Sequence, residues 1–293
     1  MATVVATHSG PFHADDVLSW ALLRTFLDPN ATLVRSRDKN ELDKADVVFD
    51  VGGLFDPAKQ RFDHHQNEYT GALSSAGMVL NWLEQDNHVS AELATILRDR
   101  LVDYVDAVDN GRQTPDASVP CFSQLIGQLT AGCESMEDFD DGFRRAGMFA
   151  QAIVSGFATD LADRQASEAA VRAAMDHAQR IGSNLLVLDR YHRWKETYFS
   201  HGGIEHPTEF LVHPGVDGRW RSIAIPPVPN SFAQKRSFPE AWAGLRDDDL
   251  ARVTAVKGAR FCHKNRFIAV FDTREGTLEA MARFGLIVGP KPD

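Results

Sequence analysis

Cysteine is scarce in this chain. Cys121, Cys133 and Cys262 are the only three among 293 residues. None forms a CxxC pair, so neither a disulfide framework nor a thiolate zinc site is indicated. A reducing compartment is the expected setting. No apolar run approaches the roughly 18 residues needed to cross a bilayer. The first residues also lack a cationic stretch followed by an apolar core, so the expectation is no membrane partner and a cytoplasmic location. Positive charge is in deficit, with 31 Lys and Arg against 41 Asp and Glu and a formal net charge of −10. The field of the whole molecule repels polyanions, which argues against a protein that coats duplexes. Any phosphate-bearing ligand must be drawn in by a local cluster or a bound cation. Internal repeats and low-complexity tracts are missing as well, so solenoid architectures drop out.

What is present is enough hydrophobic residue, 43%, to build a core, in a length that accommodates two domains. Strand and helix signals alternate through the first half. Thr3–Thr7 reads as a strand, Val17–Leu27 as a helix, and Thr32–Arg35 and Asp46–Val51 as further strands. That alternation predicts an α/β fold with a mainly parallel sheet flanked by helices. Ser74 or Ser75 can cap a helix carrying Val79, Leu80 and Leu83, and Ala91–Val108 repeats Leu and Val at helical spacing until Gly111. From Met136 to about Arg180 the chain reads helical, with Phe139, Phe143, Phe149, Ile153 and Phe157 as anchors. Beyond Asn184 the texture changes to short strands, NLLVLD, EFLVH, RSIAI and RFIAVFD, broken by Gly, Pro and charged turns. The expected organisation is a metal-binding α/β domain over 1–135, a helical connector over 136–183 and a smaller α+β lobe over 184–293. Within that lobe, Pro226, Pro227, Pro229 and Pro239 forbid a regular ladder across IPPVPNSFAQKRSFPEAW. Loops of this length are commonly functional.

Three clusters carry the chemistry: THSGPFHADD at 7–16, VVFDVGG at 47–53 and RFDHHQ at 61–66. Each lies at or just past a short β-branched run, where an open α/β sheet presents side chains to a shared crevice. One site is therefore favoured over three. In the first cluster the strand delivers His8, Gly10-Pro11 turns the chain, and His13 and Asp15 arrive just before the next helix. The alternative is that Asp15 or Asp16 merely caps that helix. Asp50 ends a buried-looking strand, where a carboxylate is costly unless paired, hydrogen-bonded or metal-bound. It can also cap the following turn. In Asp63-His64-His65 the two imidazoles point to different sides of an extended backbone, so one can bind a metal while the other faces substrate. Asp63 can then accept the outer N–H of an imidazole and fix its tautomer. Asp103, Asp106 and Asp109 recur at i, i+3 and i+6 near a helix end. A row of acids is usually a solvated face, but acids at a C-terminus oppose the helix dipole, which hints that one is kept for function. Imidazole with carboxylate suits Mn²⁺, Zn²⁺ or Fe²⁺, whereas Mg²⁺ prefers oxygen.

These segments, together with SSAGMV, VDAVDNG and PNSFAQKRSFPEAWAGLRDDDL, resemble the signature set of the MYG1 family, a branch of the DHH phosphoesterase superfamily. The likeness spans nearly the whole chain. It implies a DHH-type amino-terminal domain, a carboxyl-terminal lobe that closes over the cleft, and two divalent metal ions, typically manganese. It further implies that His8, His13 and Asp50 hold one metal, and that Asp15, Asp50, His64 and either Asp109 or Asp106 hold the other. His65 would meet phosphate. Two divalent cations against three aspartates leave the site about one net positive charge, enough to attract a phosphate to an acidic protein. The catalytic set expected is His65, Asp63 and Asp50. Substrate contacts are expected from His65 and from Lys235, Arg236, Arg260 and His263, with Lys264 and Arg266 nearby; the alternative is that these are ordinary surface cations. Trp220, Phe232 and Phe267 offer faces on which bases can stack. Around FCHKNRF the chain departs from the family's usual glycine-bearing H-A-S-G-F, since Asn265 and Arg266 replace small residues.

The function this implies is a metal-dependent phosphodiesterase using a two-metal-activated hydroxide. The family likeness points to a 3′–5′ exonuclease on RNA or short single-stranded oligonucleotides. The competing expectations are a small-molecule phosphatase or pyrophosphatase, and a non-catalytic metal-binding regulatory protein of the same fold. Oligomeric state stays open, a homo-oligomer included.

Overall fold

Val4–Thr7 (β1) is the strand its β-branched run predicts, and the computed structural model, which describes residues 2–290, places it at the centre of a sheet. The helix after it, Ala14–Phe26 (α1), starts three residues earlier than apolar periodicity alone predicts. The cause is Asp16, whose Oδ1 accepts the His13 and Val17 N–H groups at 2.9 and 2.7 Å and so satisfies amides that a helix start leaves unpaired. Thr32–Arg35 (β2), Lys39–Leu42 (α2) and Val47–Phe49 (β3) come next, then the short pair Phe55–Asp56 (β4) and Arg61–Phe62 (β5). Strand order is β2-β1-β3-β5-β4; all neighbours are parallel except β4 with β5. Because β1, β3 and β5 run the same way, their carboxyl ends lie along one edge. The order reverses across the β1/β3 boundary, which is where such sheets place ligands.

Ser75–Gln85 (α3) and Asp103–Asp109 (α5) pack beside α1 and Ala91–Leu97 (α4) packs on α3, and Val17, Leu18, Leu22, Met78, Val79, Leu83, Leu97 and Val105 are buried together. Each side chain of that size buried is worth about 1.5–3 kcal/mol. Between α4 and α5 the helix widens into a π turn at Arg98–Val102. Such a turn shifts the register of the helix after it, and π turns are frequent beside functional sites. Phe122–Gln128 (α6) precedes a helix from Met136 to Ile181 (α7).

The chain divides into two compact units, Met1–Leu161 and Ala162–Asp293, with the boundary inside α7. The first part of α7 therefore does more than connect. Phe143, Ala146, Ala150, Val154 and Leu161 form its buried stripe in the core of the first unit. Phe149, expected as an anchor, is instead 39% exposed and stacks on Phe122. The stripe steps by three and four residues, and Phe149 falls one position off it.

In the second unit Leu185–Val187 (β6), Phe210–Pro214 (β7), Trp220–Ala224 (β8), Ala259–Cys262 (β9) and Ile268–Phe271 (β10) form a sheet ordered β6-β7-β8-β10-β9. Only β6 and β7 pair in parallel. One buried cluster joins Phe210, Phe238, Trp242, Phe271 and Met281 and includes residues of the helices Asp247–Thr254 (α9) and Arg274–Arg283 (α10). Another joins Val171 and Met175 of α7 to Trp194 and Tyr198 of Trp194–Ser200 (α8), a helix the sequence pattern did not announce. The result is a mixed α/β protein with two five-stranded sheets. No helix among the described residues is long and apolar enough to cross a membrane.

Candidate metal centre

Asp50 stands between two imidazoles. Its Oδ2 lies 3.2 Å from His8 Nε2 and its Oδ1 lies 3.2 Å from His64 Nε2. The three residues leave the ends of β1, β3 and β5, so the parallel register brings them together from positions far apart in sequence. Asp50 holds φ 54, a left-handed backbone unusual for a residue with a Cβ. Asp tolerates it better than most, because a short polar side chain can engage the local backbone.

Around this centre, His64 Nε2 also approaches Asp109 Oδ2 at 3.3 Å and Asp15 Oδ2 at 3.7 Å. His8 Nε2 reaches Asp16 Oδ2 at 3.2 Å. Donor atoms gather into three groups, each within 4.8 Å: Asp50 with His64 and His65, His8 with Asp16 and Asp50, and His13 with Asp15 and Asp109. His13 thus stands with Asp15 and Asp109 and not with His8 and Asp50. Asp16, considered on sequence only as a helix cap, faces His8 with its second oxygen. Nothing in its spacing separates the two roles, because one carboxylate does both.

Several of these atoms are buried without a hydrogen-bond partner, namely Asp15 Oδ1, Asp16 Oδ2, Asp50 Oδ1 and His64 Nε2. Buried polar atoms left this way are costly. Four carboxylates converging with imidazole nitrogens, yet not aligned as hydrogen bonds, form a donor set that fits borderline divalent cations. Burial, with Asp50, Asp109 and Asp16 nearby, raises the Asp15 carboxyl well above its usual range. Burial opposes ionisation of Asp50 too, but the adjoining His64 and His8 imidazoles outweigh it and hold that carboxyl down at about 2. Burial pulls the His8 imidazole down, whereas Asp16 and Asp50 prevail and push it up to about 9. His64 is raised for the same reason, its burial being outweighed by Asp50 and Asp109.

Asp106 sits apart from all three groups. Its Oδ1 accepts Ser74 N–H at 3.0 Å, Ser74 O–H at 2.6 Å and Gly77 N–H at 3.1 Å. It caps α3 from a distant helix, a task the sequence assigned to Ser74 or Ser75 themselves. Ser75 instead donates to Asp15 Oδ2 at 2.9 Å. Burial raises the Asp106 carboxyl to about 6. A Cβ on Gly77 would run into this carboxylate, so the helix can approach only with glycine there.

His65 Nδ1 lies 3.6 Å from Asp50 Oδ1 but closer, at 2.7 Å, to Asp63 Oδ1. The side chain of His65 is 62% exposed. In the second unit, the cations expected to meet substrate are engaged internally. Lys235 Nζ donates to Gly203 O and His206 O at 2.7 Å and to Tyr198 OH at 3.1 Å. Arg236 Nη2 donates to Gly285 O at 2.7 Å, and Arg260 forms a forked pair with Asp272. His263 packs on Phe267 with ring centres 4.4 Å apart. Arg266 takes φ 60, a left-handed backbone that favours glycine.

The fold and centre define an α/β protein with an acid-and-imidazole site suited to divalent cations. A profile described as an uncharacterised protein family, UPF0160, matches residues 4–286. MYG1 protein of Chlamydia trachomatis serovar D is 38% identical over 280 residues, covering 94% of each chain. MYG1 exonuclease of Homo sapiens is 32% identical over 323 residues, covering 95% of this chain and 84% of that one. This chain belongs to the MYG1 (UPF0160) family. A crystal structure of exonuclease RecJ bound to manganese aligns with 13% identity and a TM-score of 0.29 over 100% of this chain and 91% of that chain, a level at which structural likeness carries no weight.

Proposed function

We propose that the chain is a metal-dependent phosphodiesterase, acting as a 3′–5′ exonuclease on RNA or short single-stranded oligonucleotides. The observation that carries this reading is the sharing of Asp50 between His8 and His64, with unpartnered buried oxygens on Asp15 and Asp50 beside it. Relatives named MYG1 exonuclease support the substrate class.

Two divalent cations, manganese first among them, fit the donors. Asp50 would be the shared ligand, with His8 and Asp16 on one side and Asp15, His64 and Asp109, with His13 beside them, on the other. When bound, such a pair lowers the pKa of a water and stabilises the oxygens of an in-line displacement at phosphorus. The protein supplies the rest. Asp63 already accepts the Gly53 and His65 backbone N–H groups, so as an acceptor it pairs with a protonated His65 Nδ1 and leaves Nε2 free for substrate. That nitrogen is placed to contact a phosphoryl oxygen and to hold or release a proton there. Burial of Asp15, Asp16 and Asp50 excludes bulk water from the opposite side of the site.

The test is metal analysis of the purified protein, followed by manganese-supplemented turnover of single-stranded RNA, single-stranded DNA, a dinucleotide, a mononucleotide and pyrophosphate. Release of mononucleotides from RNA 3′ ends is the expected result. Preference for pyrophosphate or a mononucleotide would make it a small-molecule phosphatase, and metal binding without turnover would make it a regulatory protein.

A further inference from the structure

The proline-rich loop of the second unit is anchored at one point and open at another. Lys235 is fixed by three oxygens, and its backbone N–H donates to Ile225 O at 2.8 Å. Arg236 is fixed beside it to Gly285 O. Just upstream, Ala233 N–H bonds to Ser231 Oγ and Gln234 Nε2 to Phe232 O, so the loop tip is bonded within itself. Yet Phe232 is 100% exposed, on the rim of a cavity of about 540 Å³. A fully exposed ring on an anchored loop is held out at a cost that solvent does not return.

The cavity has a definite chemistry. Phe267, 39% exposed, supplies further aromatic surface, the buried Trp194 forms part of its wall, Lys195 supplies a cation, and no carboxylate lines it, in a chain whose net charge is −10. Among the described residues the side-chain amides of Asn230 and Asn265, both exposed, have no hydrogen-bond partner. Ring faces, unpaired amides and one cation, without acids, match a flat heteroaromatic ring with hydrogen-bonding edges that is linked to phosphate. We propose that this cavity is a nucleobase subsite, with Phe232 stacking on a base of a single-stranded nucleic acid and Asn230 and Asn265 meeting its edge. The choice of nucleic acid rests on the phosphodiesterase reading; the subsite itself does not use the metal centre.

The experiment uses the full chain with EDTA present, so that binding is read without cleavage. Fluorescence anisotropy measures affinity for a short labelled oligoribonucleotide and for an abasic strand of the same length. Stacking is typically worth about 1–3 kcal/mol per base, so Phe232→Ala is expected to weaken binding of the normal strand roughly tenfold, with Phe232→Tyr restoring it. The abasic strand should bind wild type as weakly as the normal strand binds Phe232→Ala. Equal affinity of wild type and Phe232→Ala, or no discrimination against the abasic strand, overturns the subsite; a loop that instead captures peptides would give that outcome. Because Phe232 is wholly exposed, its loss leaves folding intact. Hydrolysis of bis(p-nitrophenyl) phosphate with manganese separates the two ideas. Its absence in wild type sinks the phosphodiesterase reading and leaves base discrimination to be judged on its own.

Discussion

Asp63 Oδ1 lies 2.7 Å from His65 Nδ1, and its other oxygen accepts the Gly53 N–H at 2.6 Å. The carboxylate is 2% exposed and fixed from both sides, so the exposed imidazole inherits a set orientation and tautomer. His65→Ala should leave metal content unchanged while lowering kcat by about a hundredfold, within the range of general acid–base contributions. Asp63→Asn should do the same to a smaller extent, because an amide can present the wrong group to Nδ1. Metal analysis alongside turnover checks both. If His65→Ala loses metal, the roles of His64 and His65 are exchanged.

Asp50→Asn is the sharpest test of the shared ligand. Asn accepts the left-handed backbone about as well as Asp, so the substitution removes charge and leaves shape. Metal content should fall and turnover should vanish. The metal-free protein should also melt lower than wild type near neutral pH, since the buried His8 and His64 lose the carboxylate that pairs with both. Full metal occupancy with retained turnover would refute the bridging role.

The strands and the aspartate and histidine clusters at their ends were legible because each rests on local pattern, β-branched runs stopped by ionisable residues. Their pairing was legible only through topology, since nothing local says that β1, β3 and β5 are parallel. Asp16 escaped because its two oxygens do different work, one capping α1 and one facing His8. Asp106 and Asp109 could not be separated by spacing, because what distinguishes them is the distant start of α3. The loop cations are engaged internally for a general reason. Lys235 and Arg236 lie in a loop without regular backbone bonding, and such a loop is fixed by side chains that would otherwise be free to meet a ligand.

Asp106 and Asp109 make a matched pair of predictions. Asp106→Ala strands the Ser74 and Gly77 amides and should cost about 2 kcal/mol or more in denaturant unfolding with EDTA present. Metal affinity of the protein that remains folded should be near wild type. Asp109→Asn should reverse the pattern, with little change in metal-free stability and weaker metal binding. Weaker metal binding on removing Asp106, without lost stability, would return that residue to the ligand set.

Proton linkage gives the last prediction. His8, raised from 6.5 to about 9, stabilises the metal-free fold fully below about pH 6.5, and that contribution disappears as pH climbs through about 9. Asp15, raised by burial and by neighbouring acids, acts with the same sign, because the fold favours its neutral form and loses stability once pH exceeds the unfolded value of 3.8. Asp50, held down at about 2, matters only in acid, where its contribution is lost below 3.8. From about pH 6 to pH 8.5 the metal-free Tm should therefore decline. A cation needs the deprotonated forms of these same groups, so the stabilisation it brings should grow over that interval. Melting curves with EDTA and with excess manganese, recorded across it, should diverge as pH rises. A manganese-induced gain in Tm that shrinks with rising pH would mean that His8 and Asp15 are not the groups giving up protons to the metal.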